Sequence, residues 1–365
     1  MAARTPKVAI VHDWLVGGGA ERVVYALHQL YPDAPIYTSY CTPEWRERLD
    51  GRVVTGFLQH WPFSKLRKLI TPLRIWWFTH LDLSAYDLVI SSSGNGEAFG
   101  VRARQGATHI CYCHAPTHYY WRHYDQYLRR PGFGLLDPVV RLGLKLFVGP
   151  LRKWDYRAAQ RVDHFIANSS HTQADIKTYY GRDAVVIHPP VDIARFTAAS
   201  AESRHGFVTA GRQVPAKRTD LLVEACTKLQ VPLTVIGKGP EHERLQKLAG
   251  PTVTFLDNVS DADMPVHFAG AEAFLFASFD DFGIVPVEAM AAGTPVIAYQ
   301  AGGALDYVIP GKTGEFFAEQ SLPSVRKAIR TFDASHYKPA AVKHHAEQFS
   351  PQVFADKIRQ FVASI

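Results

Sequence analysis

The chain has 365 residues, 47% of them hydrophobic and 20% charged, enough for a substantial core, which excludes a disordered or fibrous protein. Forty basic against 34 acidic residues leave a net charge of +6, a surplus that suits phosphate, a lipid headgroup or nucleic acid without choosing among them. Four cysteines (Cys41, Cys111, Cys113, Cys226) without C-x-x-C spacing argue for a reducing compartment and against a disulfide scaffold or structural zinc.

At this length two domains are the default. The opening stretch MAARTPKVAIVHDWL runs straight into a strand pattern, with no signal-peptide core. Arg141 and Lys145 break up the longest apolar stretch, residues 135–151, so no membrane span is expected. The expectation is a cytoplasmic protein.

Short apolar runs then alternate with amphipathic helical stretches, the pattern of a parallel sheet with crossover helices. Residues 7–13, 87–93, 108–114, 164–170 and 184–190 read as one series of strands. A second series follows at 206–212, 232–239, 252–258, 271–278 and 294–300. Between them, 189–205 is rich in proline and small polar residues. The expected division is a domain over 1–190, a linker over 191–205 and a second domain over 206–349. Ser350 and Pro351 open a last helix, 350–365, with Phe354, Ile358, Phe361 and Val362 on one face. That helix is expected to pack back on the first domain. Two doubly wound α/β domains place a ligand at the carboxyl ends of their strands, in the cleft between them.

In chain order, the first candidate is the glycine-rich turn HDWLVGGGAER (12–22). It matches a dinucleotide fingerprint only loosely, because Arg22 stands at the third glycine position. Gly17, Gly18 and Gly19 could instead let backbone lie against a phosphate or sugar. Residues 51–81 contain no acid, while Arg52, Lys65, Arg67, Lys68 and Arg74 alternate with Trp61, Phe63, Trp76, Trp77 and Phe78. Such a stretch suits an anionic membrane surface, with helix packing inside the first domain as the alternative. Residues 129–154 have the same character.

CYCHAPTHYYWRHYDQY (111–127) gathers His114, His118, Tyr119, Tyr120 and Trp121 beyond a strand end, a set suited to stacking on and hydrogen bonding to a sugar. His114 and His118 have metal-ligand spacing, but Pro116 between them disfavours the helix that would align them. On the 210–225 stretch, Arg212 and Lys217 could neutralise a diphosphate, or form an ordinary solvated basic loop. GKGPE (237–241), with Lys238, lets backbone approach a ligand or simply makes a Gly-Pro turn.

DDFGIVPVEAMAAGTPVIA (280–298) places Asp280 and Glu288 eight positions apart around a turn. Pro286 suits the first turn of a helix that Gly293 ends. The free N–H groups of Ile284 and Val285 then form a site for phosphate. Glu288 either reaches into the same site or is an ordinary first-turn acid favoured by the helix dipole.

In this order the motifs GGGAER, HAP..YYW, ANSSHT, PPVD..RF, AGR....KR.DLLVEA, GKGPE and FDDFGIVPVEAMAAGTPVIA resemble the retaining glycosyltransferases of family GT4, which have the GT-B fold. The HDWL.GGAE opening is similar to members that transfer mannose in surface polysaccharide assembly. The resemblance implies two Rossmann-like domains facing across a cleft. It implies a nucleotide-sugar donor, GDP-mannose above all with a UDP-sugar as the alternative, and a lipid-linked saccharide acceptor at the inner face of the membrane. Neither a metal cofactor nor a nucleic-acid partner is implied. By the same resemblance Glu288 matches the acid that grips ribose, and Asp280 the acid on the donor sugar, where relatives carry Glu. Arg212 and Lys217 match the diphosphate pair. Lys238, Phe282, Gly283, Ile284, Val285, Gly18 and Gly19 complete the implied donor site. His114 matches a histidine at the reaction centre. His118, where relatives often carry Arg, joins Tyr119 and Trp121 on the acceptor side. Two other classes compete: a dinucleotide-dependent oxidoreductase, and a non-catalytic nucleotide-sugar or membrane-binding protein.

Overall fold

The computed structural model describes residues 6–67, 69–94, 97–129, 132 and 134–365. Lys68 of the basic–aromatic stretch, and Arg130, Pro131 and Phe133 of the 129–154 stretch, lie outside the described residues. The chain divides into two compact units, one up to His188 and one over Pro189–Ile365.

Among the described residues the first unit carries β1 (Val8–His12), β2 (Ile36–Thr38), β3 (Val53–Val54), β4 (Leu88–Ser93), β5 (Thr108–Cys113), β6 (His164–Ala167) and β7 (Ala184–Val186). They form one sheet in the order β3-β2-β1-β4-β5-β6-β7, parallel throughout. The second unit carries β8 (Phe207–Ala210), β9 (Leu233–Ile236), β10 (Val253–Leu256), β11 (Ala273–Phe276), β12 (Val296–Tyr299) and β13 (Gly314–Phe317). Their order is β10-β9-β8-β11-β12-β13, again parallel. Helices cover both faces of each sheet. That is why β1 and β11 read as unbroken apolar runs and are buried along their whole length.

β2, β3 and β13 were not expected. They are short, and Gly314 and Glu315 interrupt the apolar pattern of β13. The strand expected over 164–170 ends at Ala167, because the Ser169 hydroxyl accepts the Thr172 N–H at 3.0 Å and starts the helix Ser170–Tyr180. The stretch expected as a linker is packed into the second unit, where Val191, Ile193 and Phe196 join its core. Helix Pro351–Ala363 forms with Ser350 as its cap, the Val353 N–H donating to the Ser350 hydroxyl at 3.3 Å, and Phe354 and Ile358 are buried.

In both sheets the strand order reverses once, between β1 and β4 and between β8 and β11. Loops leaving such a pair diverge and open a crevice at the carboxyl ends. The candidate residues fall on the loops that follow these strands.

Candidate active site

In the second unit the loop after β8 carries Arg212 and Lys217, and the loop after β11 carries Asp280. The Lys217 ammonium donates to one Asp280 carboxylate oxygen; the Ser278 hydroxyl donates to the other at 2.5 Å. Both charged groups are only half-buried, so an incoming ligand can reach and separate them. The Arg212 side chain is exposed, with no hydrogen bond or ion pair among the described residues, while its carbonyl accepts the Val214 N–H at 2.9 Å.

Backbone fixes the Asp280 loop. The Gly303 N–H donates to the Asp280 carbonyl at 2.9 Å. A Cβ on Gly303 would lie 2.3 Å from the Phe282 Cα and 2.5 Å from its carbonyl oxygen, so only glycine permits this approach. Gly283 caps the following helix with a φ of 89°, in the left-handed region. A Cβ there would sit 2.9 Å from the Tyr307 hydroxyl. Among the described residues that hydroxyl is buried without a hydrogen-bond partner, and burial, then the Asp280 charge, holds its pKa well above the usual range.

The helix runs Ile284–Ala291, with Pro286 in its first turn. Ile284 and Val285 therefore supply its first N–H groups, which have no carbonyl within the helix. Glu288 falls in the second turn, not the first. It is buried, with the Arg195 guanidinium 3.5 Å away as its counter-charge. Arg195 also pairs with Asp261 at 3.3 Å and lies over the Phe196 ring. Phe282 is core, packed edge-on to Tyr307 and close to Phe349. Lys238 turns to Asp257 at 2.9 Å, beside His242 at 3.3 Å from the same carboxylate.

In the first unit, three consecutive serines end β4 and organise the crevice. The His12 Nδ1–H donates to the Ser92 carbonyl at 2.8 Å, with the Ser92 hydroxyl 3.1 Å away. That hydroxyl lies 2.8 Å from His114 Nε2, and the imidazole tautomer sets which of the two donates. Asp13 accepts from the Ser93 hydroxyl at 3.2 Å, the Gly94 N–H at 2.8 Å and the Ala98 N–H at 2.9 Å, tying β1 to the loop after β4.

The glycine turn is partly closed from within. The Glu21 carboxylate accepts the N–H groups of Val16 (3.2 Å) and Gly17 (3.0 Å). His118 stands beside His123, ring centroids 5.2 Å apart. The Tyr119 hydroxyl donates to Glu97 at 3.1 Å, and Glu97 forms a buried ion pair with Arg74 at 2.7 Å. Trp121, expected on the acceptor side, is also a packing residue: its N–H donates to buried Asp155 at 2.7 Å and its ring stacks on Tyr179. The basic–aromatic stretch is corrected in part, because Arg74, Trp77 and Phe78 are interior.

His12, Asp13, Ser92, Ser278 and Arg195 escaped the sequence reading. Only the HDW run and the arginine of PPVD..RF hinted at three of them.

Two Rossmann-like units, with a cationic loop, a carboxylate and an open helix N-terminus at the switch point of the second, define a protein of the GT-B class. HepE from Anabaena, solved with UDP-glucose, has the same fold, with a TM-score of 0.69 over 99% of this chain and all of that one at 19% identity. Sucrose-phosphate synthase from Thermosynechococcus elongatus gives 0.72 over 98% of each chain at 18% identity. A model of Glycosyltransferase Family 4 matches residues 17–195, and one of Glycosyl transferases group 1 matches residues 191–349. The chain belongs to the family 4 glycosyltransferases. A GDP-mannose-dependent alpha-(1-6)-phosphatidylinositol monomannoside mannosyltransferase of Mycolicibacterium smegmatis is 30% identical over 205 residues, 48% of this chain and 54% of that protein. A D-inositol 3-phosphate glycosyltransferase of Pseudarthrobacter chlorophenolicus is 32% identical over 188 residues, 44% of this chain and 45% of that one. The chain thus spans about half the length of the curated relatives it matches.

Proposed function

We propose that this protein transfers a sugar, mannose from GDP-mannose, to a lipid-linked saccharide in surface polysaccharide assembly, with retention of anomeric configuration. The observation that carries this reading is the Lys217–Asp280 pair beside the open first turn of helix Ile284–Ala291. A diphosphate takes the ammonium and the amides, and the sugar hydroxyls take the released carboxylate. Lys217, Arg212 and the helix terminus stabilise the charge that grows on the leaving nucleoside diphosphate, a task they perform without a resident metal.

Glu288 holds the ribose once the nucleotide draws its carboxylate toward the hydroxyls. A depression of about 530 Å³, lined by Asp257, Asn258, Val259 and Val266 among others, opens beside Lys238 and offers room for the base. His114, held by its hydrogen bond with Ser92, serves the donor sugar; His118 and Tyr119 lie on the acceptor side. The mannose preference follows the Mycolicibacterium relative, while a UDP-sugar remains the alternative donor. The exposed part of residues 57–80, Trp61, Leu66, Leu69 and Trp76 with Lys65, meets an anionic membrane at the inner face of the cell membrane.

The test incubates the protein with GDP-mannose, GDP, UDP-glucose, UDP and NAD, reading melting temperature, and then with radiolabelled donor and membrane lipid extract. GDP-mannose should stabilise most and label a lipid-extractable product. No shift and no transfer with any nucleotide sugar would sink the reading, and a shift with NAD alone would favour an oxidoreductase.

A further inference from the structure

The long helix Asp137–Ala159 is packed along only part of its length. Its carboxyl-terminal half is anchored: buried Asp155 accepts from Thr117, Trp121 and Tyr180, and the Arg152 guanidinium, donating to the Tyr120 carbonyl at 2.5 Å, lies over the Trp121 and Tyr124 rings. Trp154 meets Gly100 so closely that a Cβ there would lie 2.6 Å from its ring. In the amino-terminal half Arg141 donates to the Leu128 carbonyl at 2.7 Å, and the apolar side chains stand exposed. Leu135, Leu136, Val139, Leu142, Leu146 and Phe147 are each between 50% and 100% exposed. Leu135 and Leu136 sit on the 3-10 turn Gly134–Leu136 just before the helix; on the helix itself Val139, Leu142, Leu146 and Phe147 fall, at 100° per residue, within a sector of about 140°, an apolar ridge. Soluble surfaces scatter single apolar residues but do not align four of this size, beside two more, without a partner.

Charge selects that partner. Residues 126–154 hold six basic residues and one acid, Asp137. Exposed Lys145 flanks the ridge, and exposed Lys153 and Arg157 continue it. The asymmetry extends to the whole unit: residues 1–188 carry 23 basic against 15 acidic groups, while residues 189–365 carry 17 against 19. The entire basic surplus of the chain lies in the unit that bears the ridge. Apolar bulk rimmed by lysine and arginine is the chemistry of a helix lying in the headgroup layer of an anionic bilayer. A second copy of this unit would instead set like charge against like.

We infer that the 139–147 face of this helix, with Leu135 and Leu136 just before it, is a membrane-docking surface, inserting its leucines and Phe147 among the acyl chains of an anionic bilayer while Lys145, Lys153 and Arg157 meet the headgroups. The surface stands on its own geometry and rests on the proposed function only in that a lipid-linked acceptor gives it a use. It differs from the 57–80 stretch, where Arg74, Trp77 and Phe78 are interior.

The test is vesicle flotation with neither donor nor acceptor present, so its failure would leave the transferase reading standing. Vesicles of phosphatidylcholine alone and of phosphatidylcholine with phosphatidylglycerol are compared, for wild type, the Leu142→Glu/Leu146→Glu variant, the milder Leu142→Ser/Leu146→Ser variant and a Trp61→Ser/Trp76→Ser variant. Retained melting temperature certifies that each variant folds. Wild type should float only with phosphatidylglycerol, less so at high salt. The leucine variants should bind about tenfold more weakly or worse. Equal binding by the leucine variants, or loss confined to the tryptophan variant, would overturn the assignment. So would binding indifferent to lipid charge, or no binding by wild type. A wild-type dimer that the leucine variants dissociate would assign the ridge to a second copy instead.

Discussion

Lys217 and Asp280 neutralise each other until a ligand intervenes, so removing either changes the chemistry more than the fold. Lys217→Ala should lower turnover on the order of 10²-fold or more by leaving diphosphate charge uncompensated. Arg212→Ala should do likewise, and neither should move the melting temperature by more than about a degree or two; initial rates and thermal denaturation check this. Gly303→Ala behaves oppositely. Its Cβ would collide with the Phe282 backbone, so the variant should lose on the order of 2 kcal/mol or more of stability, read as a lowered denaturation midpoint. The exposed charges of this site were legible in the sequence, because arginine, lysine and aspartate on glycine-bearing loops after apolar runs announce themselves. Burial and long-range partners were not. His12 meets Ser92 across 80 positions, and Arg195 meets Glu288 across 93. Only the neighbouring strands, or a helix hidden in an apparent linker, bring such residues together.

Among the elements, helix Asp137–Ala159 is held by a carboxyl group that titrates in an unusual range. Burial pushes Asp155 up to about 7, against the hydrogen bonds of Trp121, Tyr180 and Thr117. Between pH about 4 and 7 the folded chain thus keeps a proton that the unfolded chain releases. The stability from this group is complete below pH about 4 and lost as pH rises through 7. His109 on β5 works in the other direction. Burial lowers it to about 4, so its contribution is complete above pH about 6.5 and lost as pH falls through 4. Subtracting the urea-unfolding profile of Asp155→Asn from that of wild type should isolate the first effect. The difference should fall as pH rises from 4 to 7, on the order of 1 kcal/mol per pH unit. A flat difference would mean that Asp155 is ionised throughout. Strand and helix alternation was readable because continuous apolar runs mark strands buried on both faces. β2, β3 and β13 were too short or too polar to stand out.

At the scale of the molecule, two units with separate cores should unfold with a measure of independence. Under the proposed reading only the second holds the nucleotide, so saturating GDP should raise its calorimetric transition more than the first unit's. At a hundred times the dissociation constant the stabilisation is about 2.7 kcal/mol. Uniform movement of both transitions would mean that they are thermodynamically coupled. The division of charge between the units bears on kinetics as well as affinity. An anionic bilayer attracts the first unit at a distance of about a Debye length, roughly 8 Å at physiological salt, and repels the second. Under the proposed docking, collisions are therefore sorted before any leucine touches lipid, because the basic unit is the one drawn to the bilayer. Lowering the salt then acts first on how fast the protein is captured in a productive orientation, and only afterwards on how tightly it is held.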